Sequence, residues 1–101
     1  MMQTVLLKLR EKIRRREYVM TLHALDEMED DGFSIFDVER CILTGSIIEK
    51  QKDRTTGETK YLVRGQSVSD EWLVTVGKIS VTETLVIITV YRVNNGENHE
   101  M

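Results

Sequence analysis

The chain has 101 residues, no proline, a single cysteine and a formal net charge of −3 at pH 7. This length allows one domain with a modest core, because so short a chain cannot bury two separate cores. One cysteine excludes an internal disulfide, and one cysteine with two scattered histidines lacks zinc-site spacing, so we expect no metal and no cofactor. No long apolar run and no signal sequence are visible, which predicts a cytoplasmic protein without a membrane span.

Basic charge is concentrated at the start of the chain. Residues 1–16 contain six Lys and Arg against one acid, Glu11. Apolar residues recur there at helical spacing, which predicts an amphipathic helix over residues 3–16. Its basic side could meet a phosphate backbone or an acidic partner, or could only be a solvated face. We expect residues 1–17 to be an accessory helix on a core of residues 18–93.

A short extended segment, residues 18–21, leads into a second predicted helix. Thr21 is a typical N-cap, and Gly32 can end the helix in the left-handed conformation. His23 and Glu27, four residues apart, share a face beside the apolar stripe. That stripe consists of Leu22, Leu25 and Met28.

A third helix is predicted between Ser34 and Gly45. Ser34 and Asp37 have the spacing of a capping box, and Gly45 is a stop signal. Four residues are expected to be buried, among them a cysteine that acts as a small core residue. They are Ile35, Val38, Cys41 and Ile42.

The second half of the chain predicts strands over residues 46–52, 59–66, 72–79 and 84–93. Residues 94–101 have no core-forming side chain and are predicted to be a flexible tail, which argues against a site role for His99. Alternation in the last strand puts Leu85, Ile87, Thr89 and Tyr91 on one face. The buried face of the sheet is expected to include Trp72, Val74, Val76, Val86, Ile88 and Val90.

Helices followed by hairpin-linked strands predict an α+β domain. We expect the N-terminal helices to pack on one face of a roughly four-stranded antiparallel sheet. Several short motifs occur along the chain in a fixed order. They are His23-Ala24, Met28, Gly32, Ser34, Asp37-Val38, Gly45, Ile47-Ile48-Glu49, Tyr61-Leu62-Val63-Arg64-Gly65 and Leu85-Val86-Ile87-Ile88-Thr89-Val90-Tyr91.

In these motifs the chain resembles the family catalogued as domain of unknown function 4258, with the first helix outside the resemblance. That family is similar to the RelE-like and BrnT-like toxins of type II toxin–antitoxin pairs. The resemblance therefore implies a RelE-like fold, cleavage of mRNA and an antitoxin partner, often a zinc-finger protein. Members commonly carry arginines where this chain has Glu27 and Asp31, and carboxylates at those positions would repel a phosphate.

Metal-independent RNA cleavage needs a base near the 2′-hydroxyl, cations at the phosphate and an acid for the leaving 5′-oxygen. A histidine can act as base or acid near neutral pH. Alternatively, His23 is only hydrogen-bonded to a neighbouring strand, and the tyrosines are ordinary strand residues. The candidate catalytic residues are His23, Lys60, Arg64 and Tyr91, and the candidate substrate-binding residues are Tyr61, Thr89 and Arg92.

Two functions are consistent with the sequence. The first is an endoribonuclease toxin that acts on mRNA. The second is a non-catalytic binding module of the same fold, in which the acidic helix over residues 22–31 or the basic helix over residues 3–16 docks a partner protein. The sequence leaves the oligomeric state open.

Overall fold

The structure, a computed structural model, describes residues 2–94, so the predicted tail with His99 falls almost entirely outside the described residues. Between Met2 and Asn94 the chain forms three helices and one five-stranded sheet. In chain order the elements are α1 (Met2–Arg14), β1 (Tyr18–Met20), α2 (Leu22–Asp31), α3 (Ile35–Thr44), β2 (Ser46–Lys52), β3 (Thr59–Gln66), β4 (Trp72–Ile79) and β5 (Leu85–Arg92).

The sheet is mixed, with strand order β1-β5-β4-β3-β2. The α+β class is confirmed, whereas the sheet has five strands instead of four and is not wholly antiparallel. The additional strand is β1, which pairs in parallel with the start of β5, Tyr18 opposite Leu85. Local sequence patterns do not reveal this pairing, because a parallel neighbour lies far away along the chain.

The helix boundaries follow the predicted caps. The hydroxyl of Thr21 accepts the Ala24 N–H at 3.1 Å, and Gly32 ends α2 with a left-handed φ of 74°. At the start of α3 the Asp37 carboxylate accepts the Ser34 N–H at 2.7 Å, as expected for a capping box. These local signals therefore place α2 and α3 correctly.

Three helices and one face of the sheet enclose the main core. We call the opposite face of the sheet the open face. It has its own buried cluster of Leu62, Val74 and Val76, with Tyr91 and Val93 packed against it and no helix residue included. The buried residues of the main core are Leu9, Ile13, Ala24, Met28, Phe33, Val38, Cys41, Ile42, Val63, Leu73, Leu85, Ile87 and Val90.

Helix α1 is part of the main core, whereas the sequence suggested an accessory element. Leu9 and Ile13 are buried. Arg10 donates from Nε to the Ile42 carbonyl at 3.0 Å and from Nη2 to the Gly45 carbonyl at 2.8 Å. The last carbonyls of a helix lack intrahelical partners and form its negative end, so Arg10 stabilises the end of α3.

Helix α2 buries only Met28 of the three residues in its predicted stripe. Leu22 and Leu25 are 79% and 43% exposed, whereas Ala24 and Met28 are buried. The reason is that α2 packs against β5 on the side that carries Ala24 and Met28, so Leu22 and Leu25 lie outside this contact. In α3 the predicted burial of Val38, Cys41 and Ile42 is confirmed, but Ile35 is exposed.

Two β-bulges reassign side chains to the opposite face. In β5 the pairing skips Ile88, so Val90 joins the core while Thr89 and Tyr91 turn to the open face. In β2 the pairing skips Ile48, which puts Glu49 opposite Leu62. The predicted face of β5 was therefore wrong beyond Ile87, because one extra residue reverses the alternation. Neither Val86 nor Ile88 is fully buried, and Val74 and Val76 are buried on the open face, away from the helices.

Two glycines let α3 approach β3 very closely. A Cβ on Gly65 would lie 2.5 Å from the Cys41 carbonyl oxygen, and one on Gly45 would lie 2.3 Å from the Arg64 carbonyl oxygen. Such distances are far below van der Waals contact, so only glycine fits at either position. The end of α3 is thereby held beside the start of β2 and the end of β3.

Candidate functional site

Four of the seven predicted site residues share the open face. The strand register places Arg64, Val74 and Tyr91 directly opposite one another across β3, β4 and β5. The next row contains Leu62, Val76 and Thr89, and Lys60 follows two residues from Leu62 on the same face. Adjacent strands lie about 4.8 Å apart, so this row of side chains covers about 10 Å from β3 to β5. The four residues are Lys60, Arg64, Thr89 and Tyr91.

Trp72 fixes the position of Arg64. The guanidinium carbon of Arg64 lies 4.0 Å from the centroid of the Trp72 ring, a cation–π arrangement that restricts a long flexible side chain. Trp72 is the only tryptophan in the chain and lies on the open face opposite Gln66. Trp72 was predicted to lie on the buried face of the sheet, and only the strand register brings it beside Arg64.

Glu49 is a further residue of the open face and was not among the predicted site residues. It is exposed, and Gln51 Nε2 donates to its carboxylate at 2.8 Å. Burial raises the pKa of Tyr91, and the nearby Glu49 carboxylate raises this pKa further. The Tyr91 phenol is therefore protonated at neutral pH. Glu49 was missed because simple alternation cannot reveal the bulge at Ile48.

His23 lies elsewhere, on α2 beside the outer edge of β5. Its Nε2 is 3.2 Å from a carboxylate oxygen of Glu27, and its side chain is mostly exposed. Lys60 and Arg64 lie on β3, and β4 lies between β3 and β5. The lateral distance from β5 to β3 is therefore about 10 Å. The structure thus groups His23 with an acid of its own helix and not with the two cations.

Two of the acids of α2 bind the backbone of β5. Glu27 Oε1 accepts the Val90 N–H at 2.9 Å, and Asp31 Oδ2 accepts the Arg92 N–H at 3.1 Å. Glu27 and Asp31 are four residues apart, which corresponds to a rise of about 6 Å along a helix. Val90 and Arg92 are two residues apart, or about 6.7 Å along a strand, so the spacing of the two carboxylates matches that of the two N–H groups. Strand β1 covers β5 only as far as Ile87. Beyond that point the acids occupy an edge that would otherwise be free to pair with another strand.

The last two predicted residues are used within the fold. Arg92 pairs with Glu71 at 2.9 Å, donates to the Asp31 carbonyl at 2.5 Å, and lies 4.8 Å from the Phe33 ring centroid. Tyr61 packs against the main core on the helix side of the sheet. Neither side chain belongs to the open-face group.

Cys41 has the core position predicted for it. Its sulfur lies 3.5 Å from the Val63 carbonyl oxygen and 3.6 Å from the Thr75 hydroxyl. Burial raises the pKa of the thiol to about 11. Since the thiolate is the reactive form, this cysteine is chemically inert in the folded protein.

Comparison with known protein families places most of the chain in one family model. A family model described as Domain of unknown function (DUF4258) covers residues 20–92, from the end of β1 to the end of β5. No curated protein and no solved structure matches the chain. None of the helices between Met2 and Asn94 is long and apolar enough to cross a membrane. Because the match covers most of the sequence, the chain belongs to the DUF4258 family.

Proposed function

We propose that this protein binds single-stranded RNA across the open face and cleaves it, as the endoribonuclease toxin of a toxin–antitoxin pair. The observation that carries the proposal is the convergence of unlike polar groups from three strands on one helix-free face. Glu49 comes from β2, Lys60 and Arg64 from β3, and Tyr91 from β5. They supply a base, two cations and a proton donor, the groups that cleavage of a phosphodiester requires.

The two cations are assigned to the phosphate. Lys60 and Arg64 lie on the same face of β3, two rows apart. An arginine held against an aromatic ring keeps its planar donor fork in place, and such a fork fits two phosphate oxygens at once. Arg64 therefore orients the phosphate while Lys60 adds a second positive charge that stabilises the developing transition state.

Glu49 and Tyr91 are assigned to proton transfer. The Glu49 carboxylate takes the proton of the 2′-hydroxyl as the 2′-oxygen attacks phosphorus. The bond from phosphorus to the 5′-oxygen breaks, and Tyr91 gives its phenolic proton to that oxygen. The products are a 2′,3′-cyclic phosphate and a 5′-hydroxyl end, and solvent returns the proton from Glu49 to Tyr91. The raised pKa of Tyr91 keeps this donor protonated.

Two half-buried aromatic side chains of the open face, Trp72 and Tyr91, suit unpaired bases. Tyr91 packs against the buried cluster of Leu62, Val74 and Val76 beneath it. Single strands bind such surfaces by laying base faces on apolar and aromatic side chains while cations follow the backbone. A duplex hides its base faces, so single-stranded RNA is the proposed substrate.

Cleavage of a short labelled oligoribonucleotide, alone and in the presence of ribosomes, tests the proposal. We expect a 2′,3′-cyclic product by mass spectrometry and a loss of about 100-fold or more in rate for Glu49→Gln and Lys60→Ala. Lys50→Ala is the matched control, because Lys50 is exposed, adjacent to Glu49, and pairs with Tyr61 of the opposite face. A folded protein that leaves RNA intact under both conditions contradicts the nuclease proposal.

We propose an antitoxin, of the zinc-finger type that the resemblance implies, as the protein partner. Covering the open face would block the nuclease, so a bound antitoxin and RNA should compete. Fluorescence anisotropy of labelled RNA, measured with and without the antitoxin, checks this. Simultaneous binding of both would place the antitoxin on another surface.

A second candidate, a non-catalytic binding module, is favoured by the outer side of α2. Leu22 and Leu25 are exposed there beside Asp26, Glu29 and Asp30. An apolar pair with an acidic surround suits a basic amphipathic helix of another protein. Induced expression separates the two functions. The nuclease is supported if cellular RNA is degraded and the Glu49→Gln variant no longer degrades it. The binding module is supported if RNA stays intact and a protein copurifies with the wild-type chain but not with the Leu22→Ser variant.

A further inference from the structure

A cleft of about 260 Å³ lies where the end of α3 meets the open face. It is bounded by α3 on one side and by β3 and β4 on the other, and the proposed nuclease chemistry leaves most of it unused. The side chains that matter are Arg40, Thr44, Ser46, Arg64, Gln66 and Trp72.

We propose that this cleft binds a phosphate group of the RNA strand, next to the phosphate that is cleaved. The inference rests on the proposed function, since Arg64 is shared by both positions. The ligand chemistry is a phosphate oxyanion held between Arg40 and Arg64, with the hydroxyl of Ser46 as a further donor.

The charge of the cleft suits an anion. Arg40 forms an ion pair with Asp70 at 3.8 Å, in which the two side chains are 45% and 74% exposed. So long and exposed a pair is weak, and a phosphate can displace the carboxylate. Arg64 is held over Trp72 at the other wall, so a second cation is already in position.

Arg10 reduces the repulsion of an anion by the helix end beside the cleft. The C-terminus of α3 carries partial negative charge from its unpaired carbonyls. The guanidinium of Arg10 donates to the carbonyl of Ile42, in the last turn of α3, and to that of Gly45, which follows the helix. A positive charge is therefore present at the negative end of α3 before any ligand arrives.

The size and floor of the cleft fit a small group. Pockets for drug-sized ligands measure about 300–1,000 Å³, so 260 Å³ suits a phosphate with part of its sugar better than a complete nucleotide. Gly45 and Gly65 lie along the cleft and present backbone without side chains. Because Arg64 reaches both regions, a strand that crosses the open face continues into the cleft.

The test uses an uncleavable 2′-O-methyl oligoribonucleotide and, separately, inorganic phosphate, each titrated into the full chain. We expect Arg40→Ala to weaken oligonucleotide binding about tenfold, the loss of one charge contact, and to reduce the slope of log affinity against log salt by about 0.7. Arg54→Ala is the matched control, since Arg54 is also exposed and lies in the turn at the far end of the β2–β3 hairpin.

Inorganic phosphate distinguishes the source of the anion. We expect it to shift the NMR signals of the Trp72 indole and the Gly65 amide only at millimolar concentration, and not in Arg40→Ala. Tight binding of phosphate alone, equal to that of the oligonucleotide, would make this a free-phosphate site and overturn the assignment to RNA. Equal oligonucleotide affinity and salt slope for Arg40→Ala and Arg54→Ala would overturn the cleft.

The two proposals fail separately. Cleavage that depends on Glu49 together with oligonucleotide binding that ignores Arg40 refutes the cleft and supports the nuclease. Oligonucleotide binding that depends on Arg40 without any cleavage refutes the nuclease and supports the cleft. Circular dichroism of each variant confirms folding, which the exposed position of Arg40 leads us to expect.

Discussion

The contact between Glu27 and the edge of β5 gives the most specific stability prediction. Replacing Glu27 by alanine removes the acceptor of the Val90 N–H, and Val90 is completely buried. A hydrogen bond to a charged group contributes about 1.5–3 kcal/mol. The Glu27 side chain is 26% exposed, so solvent weakens the contact and the lower limit of about 1.5 kcal/mol applies.

Thermal and urea unfolding measure this loss. At about 4–8 °C per kcal/mol for a domain of this size, Glu27→Ala should lower Tm by about 6–12 °C. Glu27→Gln keeps an acceptor oxygen and should recover most of the difference. Glu29→Ala removes an exposed acid from the same helix and should change the unfolding free energy by less than about 0.5 kcal/mol.

Equal unfolding free energies for Glu27→Ala and Glu29→Ala would refute the reasoning, because the backbone contact would then contribute nothing. A second readout is aggregation. An uncovered strand edge pairs with other chains, so the double variant of Glu27 and Asp31 to alanine should associate at concentrations at which the Glu29 variant stays monodisperse in light scattering.

Three further predictions follow from the core and the caps. Gly65→Ala should destabilise the fold by about 1–3 kcal/mol through a clash with the Cys41 carbonyl, and an unchanged Tm would contradict that close contact. Cys41 should resist alkylation at pH 8 until the chain is unfolded, because its pKa is raised to about 11; equal rates in urea and in buffer would show an accessible thiol. Burial raises the pKa of Asp37, but hydrogen bonds from Ser34 and Val68 outweigh it and lower the pKa overall. The stabilisation that the Asp37 carboxylate gives the fold is therefore present above about pH 4, the pKa of an unfolded Asp, and is lost as the pH falls through the folded pKa. The unfolding free energy of Asp37→Asn should therefore depend less on pH in this acidic range.

Signals confined to a few neighbouring residues could be read from the sequence. The cap at Thr21, the left-handed stop at Gly32 and the box of Ser34 with Asp37 each depend on contacts within four residues. The strands β2 to β5 also follow from their alternating patterns and turn residues. These elements were sufficient for the α+β class.

Contacts between distant segments could not be read in this way. The parallel pairing of β1 with β5 joins Tyr18 to Leu85. Which residues of α2 are buried depends on the helical face that meets β5. The sequence does not show that face, so Leu22 and Leu25 were predicted to be core residues. Glu27 and Asp31 were expected to repel a phosphate. In the structure the Glu27 carboxylate instead accepts a hydrogen bond from the backbone of β5.

The candidate site was predictable only in part. Lys60 and Arg64 share a face because they lie four residues apart on one regular strand, which alternation alone reveals. His23 was chosen for its chemistry, although its spacing of four residues from Glu27 already predicted that acid as its neighbour. Trp72 and Glu49 needed the strand register, which exists only once the sheet is assembled.

The two bulges decide which side chains this small fold presents on the open face. If β5 paired regularly with Ile88 included, Val90 and Arg92 would replace Thr89 and Tyr91 on that face without any side chain being substituted. If β2 paired regularly with Ile48 included, Glu49 would leave that face in the same manner. Removing either bulged residue would leave these faces unchanged, because the residues on both sides of it would keep their partners. The chemistry of the open face therefore depends on the strand pairing as well as on the residues themselves.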